Sequence, residues 1–488
     1  MGIFKRMAFK PILLVLFFFL LTRLYIGIIT PFFVGDEANY VHMYFQFLET
    51  GRPDIYGELV VKPAGQYYLT APLLLIFVPV SDSLGIPIEV PFRLVTIIFG
   101  LATLWILYEI LLKLSKSETG AAMGTLFFSI LPNFFMISSI YYPDVYLIFF
   151  SFLSFWVLLC RDDWKGSLLA GFLTGVAFYI KLQQAFLVFA LILPYMVLKK
   201  KIRVDYFVYS SMFSLIFLLI FVLTYYPARS DSAMLLLKTE LFARNGISMG
   251  TALLNLVNIT YTYFFAFILG IGLVLGARQY FKKQSPFYEY SQIALLVLFS
   301  VFVSSFWYSA ILYFGLSLLF AKAFDHLLGF EKLIVFGLLI LILLQTSSVM
   351  TSIIYSTAYD WPSQKQVGLF LVDKYPVTFI MNDTQMRIWN VYDEVYEKTD
   401  SPVLLAKMRM AILPYKFLYE KEPQIQNINA YWYYADAELD PIAPSLLESE
   451  YVATEKGYEK FLEKSLMNYS LIGSFGEEPG FLVYAKNS

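Results

Sequence analysis

A helix that crosses a bilayer needs about 20 mostly apolar residues, and runs of that kind dominate this chain. They fall near 11–31, 92–112, 121–140, 143–160, 166–181, 183–198, 206–226, 253–276, 290–307, 308–323 and 333–356, of which 166–181 and 308–323 are short. Because backbone polar groups must be satisfied internally in lipid, the expected fold is an all-α polytopic membrane protein of about 11 transmembrane helices. Composition agrees. The chain is 59% hydrophobic and 15% charged, whereas roughly a quarter of the residues of soluble proteins are charged. A net charge of -1 supplies no basic field for nucleic acid. The single Cys160 cannot form an intrachain disulfide and is expected to be a buried bystander. The two histidines, His42 and His326, are far apart, which argues against a His-rich metal site.

Orientation follows from lysine and arginine, which concentrate in cytoplasmic loops. Lys5, Arg6 and Lys10 precede the first span, and Lys113 with Lys116, Arg161 with Lys165, and Lys199-Lys200-Lys201 with Arg203 mark alternate connections. Arg278, Lys282, Lys283, Lys322 and Lys332 continue the series, while Tyr141–Pro143 and Ser304–Ser309 carry no basic residue. The amino terminus is therefore expected inside and the carboxyl terminus outside. The start of the chain imitates a signal peptide, but no small-residue cleavage site follows and apolar character runs on to about Ile29, so an uncleaved first span is expected. The same parity excludes Gln66–Val80 as a span, since every later loop would flip, and it reads as interfacial or re-entrant. Before it, Val41, Tyr44, Phe45 and Leu48 fit an amphipathic surface helix. Residues 32–91 thus form a large outer loop of a membrane domain, 1–356.

Composition shifts near Tyr355. Thr357–Ser488 carries 12 Lys+Arg and 19 Asp+Glu, a difference of -7. Val377–Met381 and Phe481–Ala485 read as strands and Gly457–Met467 as a helix, so 357–488 is expected to be a small extracytoplasmic α/β domain. Three Asn-x-Ser/Thr triplets, at Asn258, Asn382 and Asn468, are compatible with outside placement.

Ionisable groups at a membrane edge are costly and are functional candidates for that reason. Asp36 and Glu37 follow the first span directly, and Lys62-Pro63 lies on the same loop. A carboxylate there can act as general base on a hydroxyl or amine, and an ammonium can hold a phosphate leaving group. The bland alternatives are a helix cap with an acidic first turn for Asp36-Glu37 and snorkelling for Lys62. Arg93 opens the second span, Asp144 the fourth, and Lys181 ends the fifth, all at the outer edge by this topology. Snorkelling is the alternative for Arg93 and Lys181, and a helix cap for Asp144. Arg23 falls inside the first span, where a structural partner such as Glu109 or a substrate contact would explain it.

Together these residues resemble the GT-C glycosyltransferase superfamily, nearest the protein O-mannosyltransferases and the bacterial lipid A aminoarabinose transferases. Gly35-Asp36-Glu37-Ala38-Asn39-Tyr40 is similar to that group's Asp-Glu-x-x-Tyr, and Lys62-Pro63-Ala64-Gly65-Gln66-Tyr67 to its Lys-Pro-x-x-x-Tyr. Pro91-Phe92-Arg93-Leu94 with Gly100, Pro143-Asp144, and Gly171–Lys181 match further positions in order. Val61 and Asn39 depart from the aminoarabinose branch, which has Glu and Arg there. The resemblance implies a transferase using a sugar on polyprenyl or dolichyl phosphate at the extracytoplasmic face. It implies Asp36 as catalytic carboxylate beside Glu37, and Lys62, helped by Arg93 or Lys181, as ligand of the donor phosphate. Asp144, Tyr40 and Tyr67 join as site candidates. No nucleotide or metal is expected, although two adjacent carboxylates suit a divalent cation and some relatives use one. The acceptor, whether lipid, glycan or protein, is not specified. The rival reading is a transporter or flippase for a lipid-linked sugar, for which internal repeats and a midplane site would be expected; the charges here gather at one edge and no repeat is visible.

Overall fold

Among the described residues, nine helices lie in the first 200 positions, most of them built around the apolar runs, and several of their ends are set by local chemistry. A computed structural model describes residues 11–34, 37–55, 59–60, 64–181, 186–200, 202–225, 272–278, 282, 286–302, 310–311, 313–354, 361–382, 412–420, 424, 427–433, 449–457, 465–476 and 480–487. By its contacts the chain divides into two units, Met1–Ile29 with Lys62–Met350, and Thr30–Val61 with Thr351–Ser488.

The first unit is helical. It contains α1 (Pro11–Ile29), followed after the excursion of 30–61 into the second unit by a helix at Gly65–Ser83, which is α3 in chain order. Next come α4 (Glu89–Ser115), α5 (Glu118–Ile130), α6 (Pro132–Ile137), α7 (Asp144–Cys160), α8 (Trp164–Ile180), α9 (Phe186–Leu198) and α10 (Val204–Tyr225). Residues 272–278 are helical, and α11 (Phe287–Phe302), α12 (Phe314–Phe324) and α13 (Gly329–Ile354) follow. Among the described residues, four helices are long and apolar enough to cross a membrane: Pro11–Ile29, Glu89–Ser115, Val204–Leu223 and Gly329–Thr351. Asp144–Cys160, Trp164–Ile180, Leu187–Leu198 and Phe314–Phe324 are shorter apolar helices. Most of the run expected at 253–276 lies outside the described residues.

Caps fix several boundaries. The Ser117 hydroxyl accepts the Gly120 N–H at 2.8 Å to start α5, and the Asp163 carboxylate accepts the Gly166 N–H at 2.9 Å to start α8. The run expected as one span at 121–140 is instead broken at Leu131, which is extended (φ -63, ψ 135) because Pro132 follows it. Gly171 and Gly175 let α8 and α10 touch. A Cβ on Gly171 would come within 2.7 Å of the Tyr209 Cβ, and one on Gly175 within 2.6 Å of the Phe213 Cβ. Cys160 is exposed rather than buried, since it ends α7 where the helix leaves its neighbours.

Arg23, fully buried in α1, is not partnered by Glu109. Its guanidinium donates to Thr22 Oγ1 at 2.9 Å, to Ser138 Oγ at 3.3 Å and to the Ser129 carbonyl, between the rings of Phe19 (4.3 Å) and Phe135 (3.8 Å). The charge is met by hydroxyl and carbonyl dipoles and by ring faces, which bind a flat, weakly hydrated guanidinium well.

The second unit includes α2 (Glu37–Thr50), the short ladder β1 (Asp54–Ile55) with β2 (Leu59–Val60), α14 (Trp361–Phe370) and α15 (Ile412–Leu418). Its five-stranded mixed sheet contains β3 (Val377–Asn382), β4 (Ile428–Tyr433), β5 (Tyr451–Glu455), β6 (Tyr469–Phe475) and β7 (Phe481–Lys486), in the order β4-β3-β5-β7-β6. β3 runs parallel to β4 and β5, and β7 pairs antiparallel with β5 and β6. Both strands read from the sequence are present. Of the helix expected at 457–467, residues 458–464 lie outside the described residues, and Ser465–Asn468 forms a 3-10 turn. The sequence reading puts residues 32–91 in the membrane domain and its boundary at 356. The contacts divide the chain at 350 and group 30–61 with the tail, because α2 packs on α15.

A buried ion pair anchors α15. Lys416 Nζ lies 2.5 Å from Glu420 Oε1 and donates to the carbonyls of Leu371 (2.6 Å) and Lys374 (3.2 Å), over the Tyr375 ring. Glu420 also accepts the Asp373 N–H at 3.1 Å and the Tyr375 hydroxyl. A buried pair is tolerable when its remaining donors and acceptors are met in this way. Burial still holds the Lys416 ammonium below the usual lysine range, with Glu420 opposing that shift.

Candidate active site

The charged residues singled out in α4, α7 and α8 belong to one end of the helical unit. The C-terminal ends of α1 and α8 meet there with the N-terminal ends of α3, α4 and α7. Arg93, 1% exposed, lies on the second turn of α4 with Nη1 3.4 Å from the Gly27 carbonyl of α1. Phe92 packs edge-to-face on Tyr141, whose hydroxyl is 2.8 Å from Thr70 Oγ1 of α3. Thr96 Oγ1 is 3.2 Å from the Tyr146 hydroxyl of α7.

Asp144 and Lys181, 37 residues apart, form a buried ion pair at this end. Lys181 Nζ donates to both carboxylate oxygens, at 3.0 and 2.9 Å. Neither bland alternative holds for them. Asp144 occupies the first turn of α7 without serving as its cap, and the Lys181 stem does not reach for a surface, since the residue is 7% exposed. Each charge also suits its helix end, an anion at the start of α7 and a cation just past the end of α8.

Gly65, the first residue of α3, shows why the Lys-Pro-Ala-Gly stretch has a glycine there. A Cβ at Gly65 would come within 2.8 Å of the Tyr179 carbonyl carbon and oxygen at the end of α8. Tyr67, completely buried, follows two residues later, and Tyr68 stacks on Tyr179 at 6.4 Å. Gly65→Ala is expected to destabilise the unit by about 1–3 kcal/mol, because backbone stands on both sides and something must shift. A lowered unfolding midpoint in detergent checks this. Glu89, buried one turn before Arg93 on α4, joins the cluster and was not singled out from the sequence. Its signal was available: an acid four residues before an arginine at a membrane edge.

The remaining sequence candidates belong to the second unit or lie outside the described residues, as Asp36 and Lys62 do. Glu37 opens α2, fully buried, and its carboxylate accepts the Val34 N–H at 3.0 Å. Tyr40, one turn on, is 4% exposed. His42, 5% exposed with its ring 5.8 Å from that of Phe417, is pushed down by burial from 6.5 to about 3. Between those values the unfolded chain binds more protons than the folded one. Stability from this group is therefore complete above pH 6.5 and is lost as pH falls toward 3. The loss is expected to be on the order of 3 kcal/mol at pH 4. His42→Gln should flatten the unfolding-midpoint profile between pH 6.5 and 4; an unchanged slope would remove His42 as its source.

An apolar helical unit with buried charges at one end, beside a second unit built on a mixed sheet, is a polytopic membrane fold similar to that of solved GT-C glycosyltransferases. The family model for dolichyl-phosphate-mannose-protein mannosyltransferase matches residues 70–226, the span that includes Arg93, Asp144 and Lys181. The fold is similar to ArnT from Cupriavidus metallidurans in the apo state (TM-score 0.59, 12% identity, 96% of this chain and 97% of that one). It is also similar to the same protein bound to undecaprenyl phosphate (TM-score 0.54, 13% identity, 96% and 97%). A third likeness is the mycobacterial arabinofuranosyltransferase AftD (TM-score 0.51, 12% identity), where the match covers 97% of this chain and 40% of the other. No curated protein sequence matches the chain significantly.

Proposed function

We propose that this glycosyltransferase moves a sugar from a polyprenyl- or dolichyl-phosphate donor to an acceptor on the extracytoplasmic face, with inversion. The observation that carries the reading is the buried Asp144–Lys181 ion pair, with a buried Arg93 on the neighbouring α4, all within the residues matched to the mannosyltransferase model. A structural relative bound to undecaprenyl phosphate supports the donor class. The alternation of lysine and arginine along the loops supports the face.

In this scheme Asp36 takes the proton of the acceptor hydroxyl or amine while its lone pair attacks the anomeric carbon opposite the phosphate. The bond from that carbon to the phosphate oxygen breaks, and its electron pair leaves with the polyprenyl phosphate. Lys62 and Arg93 stabilise the charge that develops there, where low dielectric strengthens each contact. Lys181, with Asp144 setting its position, adds to the same cationic end. The donor is already activated, so no nucleotide enters.

The test is consumption of radiolabelled polyprenyl-phosphate mannose, glucose and aminoarabinose by the full-length chain in proteoliposomes, with cell membranes supplying acceptors. Release of polyprenyl phosphate with label passing to an acceptor is expected for one donor. Translocation of intact donor without cleavage would overturn the reading in favour of transport.

A further inference from the structure

The tail holds the short segment that leads into Asp36. Residues 31–34 run directly into Gly35-Asp36, and two tail side chains grip them. The Phe33 N–H donates to the Tyr415 hydroxyl at 2.6 Å, and the Phe33 ring stacks on the Tyr415 ring (centroids 4.9 Å, 22°). Lys365 Nζ donates to the Pro31 carbonyl at 2.6 Å and lies 5.4 Å from the same Tyr415 ring. Phe33 and Tyr415 are both fully buried.

The grip stands on a rigid base. Gly368 lets α14 approach α15 so closely that a Cβ would come within 2.4 Å of the Ile412 carbonyl and 2.7 Å of the Tyr415 Cβ. Lys416, next along α15, is tied to Glu420 and to two carbonyls of the 371–374 turn. On the far side of Asp36, Glu37 closes onto the Val34 N–H and α2 packs on α15. The backbone on both sides of Asp36 is therefore fixed to α14 and α15.

We propose that Tyr415 and Lys365 are positioning residues for the catalytic carboxylate, so that the tail domain sets where Asp36 stands. The inference rests on the reading of Asp36 as the base. The hydrogen-bonded Phe33 amide is three residues from Asp36, and a displacement of about 1 Å at a reacting group can cost a hundredfold.

The test uses the full-length chain in the donor-consumption assay. Tyr415→Phe keeps the stacked ring and removes the hydroxyl that accepts the Phe33 N–H. It is expected to lower kcat about tenfold, with the donor KM within about twofold, as for an interaction felt mainly in the transition state. The Phe33 amide should exchange faster while amides of β3 and β5 stay protected. Lys365→Met should act in the same direction and Lys365→Arg should restore the rate, with the unfolding midpoint unmoved. Parental kcat in folded Tyr415→Phe and Lys365→Met would overturn the proposal, as would a loss that merely tracks the folded fraction. Asp36→Asn separates the two readings. If it is inactive while Tyr415→Phe is fully active, positioning alone falls; if it is fully active, the assignment of the base falls with it.

Discussion

Asp144→Asn is expected to cost the helical unit about 3–5 kcal/mol, the usual penalty for removing one member of a buried ion pair. The change keeps the shape of the side chain and deletes its charge. The Lys181 ammonium, 7% exposed, then loses the two carboxylate contacts at 3.0 and 2.9 Å that offset its desolvation. Lys181→Met should be destabilising for the mirror reason, because the buried Asp144 loses its cation. Asp144→Asn with Lys181→Met together should recover much of the loss, since two neutral groups impose no charge penalty, and the non-additivity measures the pair. Unfolding midpoints in detergent read all three. A single Asp144→Asn variant as stable as the parent would show that the pair contributes nothing net. Donor consumption separates stability from chemistry: a double variant that refolds well yet transfers poorly would assign the pair to the site.

What could be read from the sequence was what is encoded locally. Runs of about 20 apolar residues gave α1, α4 and α13 because span length and hydropathy are properties of one segment. The residues Arg93, Asp144 and Lys181 stood out because a charge at a membrane edge is costly wherever it lies. Their relations were not legible. Nothing in the chain announces that Asp144 selects Lys181, or that Arg23 is satisfied by Ser129, Ser138 and two phenylalanine rings rather than by Glu109. The break at Leu131 was recoverable from Pro132, but the apolar character of the flanks outweighed it. The grouping of 30–61 with the tail depends on contacts such as Phe33 with Tyr415, 382 residues apart. Amphipathic spacing suggested that α2 lies on the membrane surface; it could not reveal that α15 packs on this helix, with Val41 and Tyr44 buried and Leu48 left 42% exposed.

Asp36→Asn is expected to lower kcat by about a thousandfold, within the range of 10²–10⁴ for a general base, and to leave the donor KM within about threefold. The amide keeps the size and hydrogen-bonding reach of the carboxylate but cannot accept the acceptor's proton. If Lys62 and Arg93 hold the donor phosphate as proposed, the donor should still bind. Lys62→Met then gives the opposite signature: a higher donor KM together with a lower kcat, because the same cation serves ground state and leaving group. Glu37 provides the internal comparison. Its carboxylate accepts the Val34 N–H at 3.0 Å, so Glu37→Gln should cost about tenfold at most through the geometry of the turn. Equal losses for Asp36→Asn and Glu37→Gln would mean that the two carboxylates act as a unit. Undiminished transfer by Asp36→Asn would move the search for the base to Glu89, a fully buried acid on the first turn of α4.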